Sequence, residues 1–189
     1  ILPIIPLTII AGIRYGVGQD YFYTYVPIFN KVLAGNTSDV WGDYGFILLN
    51  KFVQLFTSDY AGIFIFTAII FHVCIYLSIY ENSKDVSFSI ILLVCTGYYF
   101  CFLNGIRQMI TAAIFMYSIK YIKNNKFTHY LSLILLASFI HLSALVYIPV
   151  YFLRNVYFRK IKVILIVIVA FAGKGLLSKF MMKVISYTK

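Results

Sequence analysis

The chain has 189 residues, of which 62% are hydrophobic and only 12% are charged, and its formal net charge is +10. Soluble domains contain about 45–50% apolar and about 25% charged residues, so this composition is typical of an integral membrane protein. In a soluble protein the positive charge would suggest a nucleic-acid partner. Beside apolar runs, however, Lys and Arg are explained by anionic headgroups, so we expect a lipid bilayer and no nucleic acid as partner.

Six apolar segments predict an all-α fold, a polytopic integral membrane helix bundle formed by a single transmembrane domain over residues 1–189. The segments lie near residues 1–13, 61–80, 88–103, 106–122, 130–153 and 161–173. The most secure is 61–80, because about twenty residues rising ~1.5 Å each match a hydrocarbon core of roughly 30 Å. The sequence begins with Ile1 inside an apolar run, so we expect it to be truncated at both ends.

Residues 14–60 form the longest polar segment, which we expect to be an outward-facing region of loops and short helices. Gly16 and Gly18 free the backbone from helical geometry just after the first span. Residues 21–33 can form a short amphipathic helix, and 34–45 have the Gly, Asn, Asp and Ser content of a loop.

The distribution of Lys and Arg in the short loops predicts the orientation of the spans. Three lysines in and beside the turn at 123–129 place that turn in the cytoplasm: Lys120, Lys123 and Lys126. Counting back through the spans, the segment 14–60 and the break at Asn104-Gly105 then face outward.

The apolar run 130–153 allows two topologies. A single crossing fits its length but puts the basic segment 154–162 outside, against the positive-inside rule. A re-entrant hairpin that turns near His141 keeps both ends in the cytoplasm, provided that protein or a water-filled cavity covers its backbone. Length slightly favours the single crossing.

Arg14 opens a polar cluster that also contains Gly16, Gly18, Asp20 and Tyr21. An arginine at the end of a span can be an interfacial anchor. An anchor, however, requires neither two glycines nor a nearby aspartate. A guanidinium beside accessible backbone N–H groups is the arrangement that binds an anion.

Arg107 follows the Asn104-Gly105 break and is therefore expected in the first turn of a helix, with Asn104 as its N-cap and Gln108 beside it. A helix N-terminus and a guanidinium together suit a phosphate or diphosphate, so Arg14, Arg107 and Gln108 are candidate ligands of such a group. The alternative for Arg107 is a structural ion pair with Asp20 or Asp43.

The candidate general bases are Asp20 and His141. Asp20 lies in the outward segment, where it could also pair with Arg14 or cap a helix. His141 lies within an apolar run with Ser138 on the same predicted helical face, and such a histidine is commonly a hydrogen-bonded interior residue. Four further residues could line a sugar site: Tyr21, Trp41, Asp43 and Tyr44.

Four blocks, in this order, resemble the EpsG-type family of bacterial exopolysaccharide polymerases, which are related in function to the Wzy polymerases. The blocks are IRYGVGQDYFYTY, DYGFILLN, NGIRQMITAAIF and LASFIHLSALVYIPVYFL. They run from about Arg14 to Leu153. The family commonly has Glu where this chain has Asp43, so the carboxylate is kept with a shorter reach.

The resemblance implies a membrane glycosyltransferase of the bacterial cytoplasmic membrane. Such an enzyme joins polyprenyl-diphosphate-linked oligosaccharide repeat units into exopolysaccharide, capsule or O-antigen on the outer face. It would need no cofactor and no metal, and its partners could include other polysaccharide synthesis and chain-length proteins. Two alternatives stay open: a lipid-linked oligosaccharide flippase or other transporter, and a non-catalytic scaffold of a synthesis complex.

Overall fold

A computed structural model describes residues 4–36 and 44–155, and every element in them is helical, as predicted. The helices are α1 (Ile4–Ile13), α2 (Val26–Leu33), α3 (Tyr44–Gln54), α4 (Ala61–Asn82), α5 (Val86–Cys95), α6 (Tyr98–Asn104), α7 (Ile106–Lys123) and α8 (Phe127–Ile140). A π-helical turn, Tyr21–Tyr25, precedes α2, and a 3-10 helix, Leu142–Asn155, follows α8. The predicted span at 161–173 lies outside the described residues.

The central helix is α4, which packs against α1 on one side and α7 on the other. Its buried rings form the middle of the core, where Phe71 stacks on Phe102 with ring centroids 4.2 Å apart. Gly12 lets α1 approach closely, because a Cβ added there would lie 3.3 Å from the Ile65 Cα atom. Stacked aromatic pairs and close helix contacts of this kind hold the bundle together.

The two ends of this bundle differ in chemistry. At one end, which we call the basic end, Lys120 Nζ lies 2.8 Å from a Glu81 oxygen and Lys123 Nζ lies 2.6 Å from the Asn82 oxygen. At the other, which we call the Arg14 end, α1 finishes, α4 and α7 begin, and the short helices α2 and α3 are found. The described parts of the predicted outward segment, 14–36 and 44–60, therefore lie at the end opposite the basic loops.

Among the described helices, α4 alone is long and apolar enough to cross a membrane without a bend. A second span results if α5 and α6, which are bent by 55° relative to each other, are taken as one. The single span predicted over 88–103 is thus interrupted, because Gly97 adopts a left-handed backbone with φ +81. The helix predicted over 106–122 does form, but it is not among the candidate spans, because it contains three cations: Arg107, Lys120 and Lys123.

The segment 130–153 doubles back on itself. The α8 helix ends at Ile140, His141 is extended, and the 3-10 helix returns along α8. As a result the Tyr130 hydroxyl donates a hydrogen bond to the Tyr147 carbonyl, and the Phe127 ring lies 4.8 Å from the Tyr151 ring. The structure of 130–153 therefore differs from the single straight crossing that the length of the segment slightly favoured. The turn lies where the hairpin alternative placed it.

Candidate functional site

The polar loop after α1 packs directly on the break between α6 and α7. A Cβ added at Gly18, whose φ is +92, would lie 2.6 Å from the Leu103 carbonyl oxygen. Two residues on, the Asp20 backbone N–H donates to Asn104 Oδ1 at 3.2 Å. Glycine is required at position 18 both for its backbone angle and for this approach. The contact brings together the two motifs that contain Arg14 and Arg107.

Asn104 is not the N-cap of α7, so that prediction is wrong. The cap position belongs to Gly105, which has no side chain to accept a hydrogen bond, and Asn104 is the last residue of α6. Its side chain turns instead toward the Arg14 loop and binds the Asp20 backbone. Asn104 therefore connects the two segments of the site rather than completing its own helix.

Arg14 is a buried cation with little to neutralise it. Its side chain is 8% exposed, and Nη1 donates to the Ala11 carbonyl at 2.9 Å. Nε and Nη2 are buried and have no hydrogen-bond partner in the described part of the chain. The guanidinium lies 4.9 Å from the Phe64 ring centroid and 5.4 Å from that of Phe102.

Burial lowers the pKa of Arg14 from 12.5 to about 10, because the charged form loses its hydration. The group therefore stays protonated at neutral pH. A desolvated cation with two N–H donors unsatisfied is costly, and an incoming anion would supply what they lack.

Arg107 lies in the first turn of α7, as predicted, and is half-buried. Its guanidinium lies 6.0 Å from the Tyr25 ring centroid and 5.8 Å from that of Phe46. Gln108 follows it and is exposed. The Arg107 side chain is thus held beside two aromatic rings at the same end of the bundle as Arg14.

Asp20 is half-exposed at the start of the π-helical turn. Thr24 Oγ1 donates to its carboxylate at 3.4 Å, and the carboxylate makes no side-chain cap for the turn. Its backbone N–H is bonded to Asn104, which lies two residues before the start of α7. Among the two predicted bases, Asp20 is the one attached to both arginine-bearing segments.

His141 lies at the C-terminus of α8, at the tip of the hairpin, and is half-buried. The helix ends one residue earlier, so Ser138 does not share a helical face with it as predicted; the Ser138 hydroxyl donates to the Leu135 carbonyl. The neighbouring Phe139 backbone packs against α3, where a Cβ added at Gly45 would lie 2.6 Å from it. His141 thus belongs to the Arg14 end.

The four predicted sugar-site residues differ in exposure and in whether the structure describes them. Tyr21 is 1% exposed and stacks on Phe64 with centroids 4.1 Å apart, so its ring face is not available to a sugar. Tyr44 is exposed and lines a cavity of about 190 Å³ with Ser138, Phe139 and Leu142. Trp41 and Asp43 lie outside the described residues.

Sequence reasoning missed three tyrosines of the same segment. Tyr15 and Tyr23 are exposed at 72% and 82% and offer ring faces that Tyr21 does not. Tyr25 is buried beside Arg107. The four-residue spacing of Tyr21 and Tyr25 was a usable signal for two rings on one buried face.

These features bring described residues from each of the four sequence blocks to the Arg14 end of the bundle, where the first block meets Asn104, and Gly45 meets Phe139. A model of the EpsG family matches residues 1–188. The chain belongs to the EpsG family. The resemblance inferred from the four blocks is therefore confirmed, and membership links this EpsG-family protein with exopolysaccharide synthesis. No curated protein and no solved structure matches the chain.

Proposed function

We propose that this EpsG-family protein is a polysaccharide polymerase. It transfers an oligosaccharide from a polyprenyl diphosphate donor to the hydroxyl of an acceptor repeat unit, on the outer face of the bacterial cytoplasmic membrane. The observation that carries the proposal is the buried guanidinium of Arg14, unsatisfied at Nε and Nη2, in a loop packed against Leu103 and Asn104, just before the helix that bears Arg107. Family membership supports the substrate class.

Arg14, Arg107 and Gln108 bind the donor diphosphate in this mechanism. As the acceptor oxygen forms its bond to the anomeric carbon, the bond from that carbon to the diphosphate oxygen breaks. Negative charge then develops on a leaving group next to the bilayer. Two guanidinium groups fixed in a poorly hydrated site stabilise that charge more strongly than they would in water.

The acceptor hydroxyl must lose its proton as it attacks, and Asp20 is the base that we favour. Its carboxylate lies on the same loop as Arg14, and its backbone is tied to Asn104. His141 is the second candidate; it is supported by the contact of nearby Phe139 with Gly45 of α3, the helix whose Phe46 ring lies beside Arg107. Tyr44 and the exposed tyrosines of the loop would line the sugar path, with Trp41 and Asp43 as further expected contacts.

The membrane setting is part of the proposal. One or two described helices have the length and hydropathy of spans, and the family and the apolar composition favour a multi-pass protein. The basic end would then face the cytoplasm, where Lys residues meet anionic headgroups, and the Arg14 end would face outward.

One observation favours transport as a second candidate. The bend between α5 and α6 and the break at His141 are discontinuous helices, which many transporters use to bind a substrate within the membrane. A lipid-linked oligosaccharide flippase would need such breaks near the midplane. In this chain the turn at His141 lies at the Arg14 end, which fits a site at the membrane surface, so the flippase alternative depends on the bend at Gly97 between α5 and α6.

The test is polymer length in cells that lack the native gene and carry the full-length protein. Wild type should give long chains, whereas Arg107→Ala and Arg14→Met should leave single lipid-linked repeats at normal membrane levels. Arg154→Ala is the matched control. The Arg154 guanidinium also lies over a tyrosine ring, 4.6 Å from the Tyr151 centroid, but it is at the basic end, where Tyr151 contacts Phe127.

Long chains from both site variants would refute the proposed role of the arginines. Absence of repeat units from the outer face in cells without the protein would favour the flippase instead. Normal polymer made by Arg154→Ala is required for the comparison to count, since loss there would indicate a general effect of removing a guanidinium.

A further inference from the structure

The hydroxyl of Tyr25 lies at the N-terminus of α7. Tyr25 is 2% exposed, and its hydroxyl oxygen lies close to the backbone N–H groups of Ile106 and Arg107. The first N–H groups of a helix have no acceptor within the helix, and Gly105 offers no side chain to supply one. A phenol from a different segment is therefore in position to cap this helix, in the role that Ser, Thr, Asp or Asn usually has.

The ring of Tyr25 also contacts the Arg107 side chain. The guanidinium lies 6.0 Å from the Tyr25 centroid and 5.8 Å from the Phe46 centroid, and the two rings meet edge to face at 5.8 Å. Cation–π contacts of this kind are directional, because the charge is attracted to the ring face. Tyr25 therefore touches Arg107 twice, through its backbone N–H and through its guanidinium.

The π-helical turn explains how one tyrosine reaches this position. Tyr21 and Tyr25 are the first and last residues of the turn, and both are buried. Tyr21 stacks on Phe64, while Tyr25 contacts the same ring edge to face at 6.3 Å and continues toward α7. Single turns of π-helix occur frequently at functional sites, where they redirect a side chain.

The charge state of the phenol suits a cap. Burial raises the pKa of Tyr25 above its ordinary value, and the nearby Arg107 and the two N–H groups only partly oppose this. The hydroxyl is therefore neutral at physiological pH. Its oxygen accepts hydrogen bonds without placing a negative charge beside the group that is to bind an anion.

We propose that Tyr25 is a positioning residue for Arg107, holding the first turn of α7 through its hydroxyl and the guanidinium through its ring. The inference rests on the proposed function, since it concerns the arginine assigned to the donor diphosphate. A Tyr25 hydroxyl that caps the N–H groups of Ile106 and Arg107 would leave the diphosphate to side chains rather than to the helix N-terminus.

A double-mutant cycle tests this role, with Tyr25→Phe, Arg107→Ala and the combination in the full-length protein. Each variant is reconstituted in liposomes, and polymerisation is measured over a range of lipid-linked repeat units extracted from polymerase-deficient cells. Tyr25→Phe should lower kcat/KM about tenfold, the loss expected from removing one or two hydrogen bonds that hold a binding group. In the Arg107→Ala background the same change should have less than about a twofold effect, because the residue that Tyr25 positions is already gone.

Tyr130→Phe is the matched control. Tyr130 is also fully buried and its hydroxyl also bonds to the backbone of another segment, the Tyr147 carbonyl, but this contact belongs to the hairpin and not to Arg107. It should reduce thermal stability about as much as Tyr25→Phe while leaving kcat/KM unchanged. If Tyr25→Phe fails to fold, Phe46→Leu removes the second ring beside Arg107 without touching the cap, and it should also lower kcat/KM.

The outcomes are separable. Equal effects of Tyr25→Phe with and without Arg107, or unchanged kcat/KM in both Tyr25→Phe and Phe46→Leu, would overturn the positioning role while leaving the polymerase proposal in place. Full activity of Arg107→Ala would refute the diphosphate role of that residue, and the inference about Tyr25 would fail with it.

Discussion

Replacing Arg14 with Met separates a functional cation from a structural one. The folded protein lowers the pKa of Arg14 from 12.5 to about 10. At about 1.36 kcal/mol per pKa unit, keeping the buried group charged costs on the order of 3 kcal/mol at neutral pH. The sign follows from linkage, because the unfolded chain binds the proton more tightly and stability rises only as the pH passes from about 10 toward 12.5.

Three contacts offset this cost. Two cation–π contacts, with Phe64 and Phe102, contribute about 0.5–2 kcal/mol each, and the hydrogen bond to Ala11 contributes about 1.5–3 kcal/mol. At the lower ends of these ranges the contacts nearly balance the cost of about 3 kcal/mol, and Met has the length and flexibility to fill the same space. We therefore expect Arg14→Met to change the free energy of unfolding by no more than about 1 kcal/mol, while polymer synthesis is lost.

The assay is thermal unfolding of the purified full-length protein in detergent, run beside the polymer-length assay in cells. A change of about 1 kcal/mol corresponds to a shift of roughly 2–4 °C in the midpoint for a protein of this size. Inorganic diphosphate should raise the midpoint of wild type and not that of Arg14→Met, because only wild type retains the unsatisfied donors. Arg14→Lys, which keeps the charge but not the fork of N–H donors, should restore little activity.

A loss of stability of more than about 3 kcal/mol in Arg14→Met would refute this reasoning. Losses of that size follow when one partner of a buried ion pair is removed. Arg14 would then be a structural anchor with an ionic partner, and its lost activity would report unfolding rather than a lost ligand for the diphosphate.

Two further predictions concern the scaffold. Gly18→Ala should destabilise the protein by about 2–3 kcal/mol and abolish polymerisation, because the added Cβ would meet the Leu103 carbonyl. The control is Gly35→Ala, where φ is also positive but the surroundings are open; it should cost about 1 kcal/mol and leave polymer length normal. Equal effects of the two variants would show that the contact with Leu103 is unimportant. The second prediction uses Lys126→Cys and Arg154→Cys, each made in a variant whose native cysteines are replaced. Both cysteines should react with a membrane-impermeant maleimide from the cytoplasmic side, because the hairpin brings its two ends together. Labelling of the two cysteines from opposite sides would show that 130–153 crosses the membrane once.

The two arginines differ in burial. Arg14 is enclosed by core rings, and its Nε and Nη2 have no hydrogen-bond acceptor in the described residues, whereas Arg107 is half-buried beside the rings of Tyr25 and Phe46. In the proposed mechanism the enclosed cation would attract the diphosphate strongly because water screens it poorly, and the more accessible cation would stabilise the leaving group as charge develops.

Local patterns of residues are enough to predict the helical class, the long apolar helix α4 and the family. Each of these depends on a local pattern: a twenty-residue apolar run, a helix-breaking Asn-Gly pair, and ordered blocks of motif residues. The position of Arg107 in the first turn of α7 could be predicted in the same way, because the residues next to a helix start indicate where the helix begins.

The tertiary structure decided how those pieces meet. Asn104 has the chemistry of an N-cap, but its side chain binds the Asp20 backbone, 84 residues away along the chain. Rules based on neighbouring residues cannot predict a contact over that separation. The length of 130–153 favours a crossing, but the contact of Tyr130 with Tyr147 shows that the chain turns at His141. Tyr21 and Tyr25 are alike in sequence and both are buried, and only packing stacks Tyr21 on Phe64 and brings Tyr25 beside Arg107. Contacts between distant segments determine these outcomes, because burial and hydrogen bonding depend on what lies across the interface and not on the neighbours in sequence.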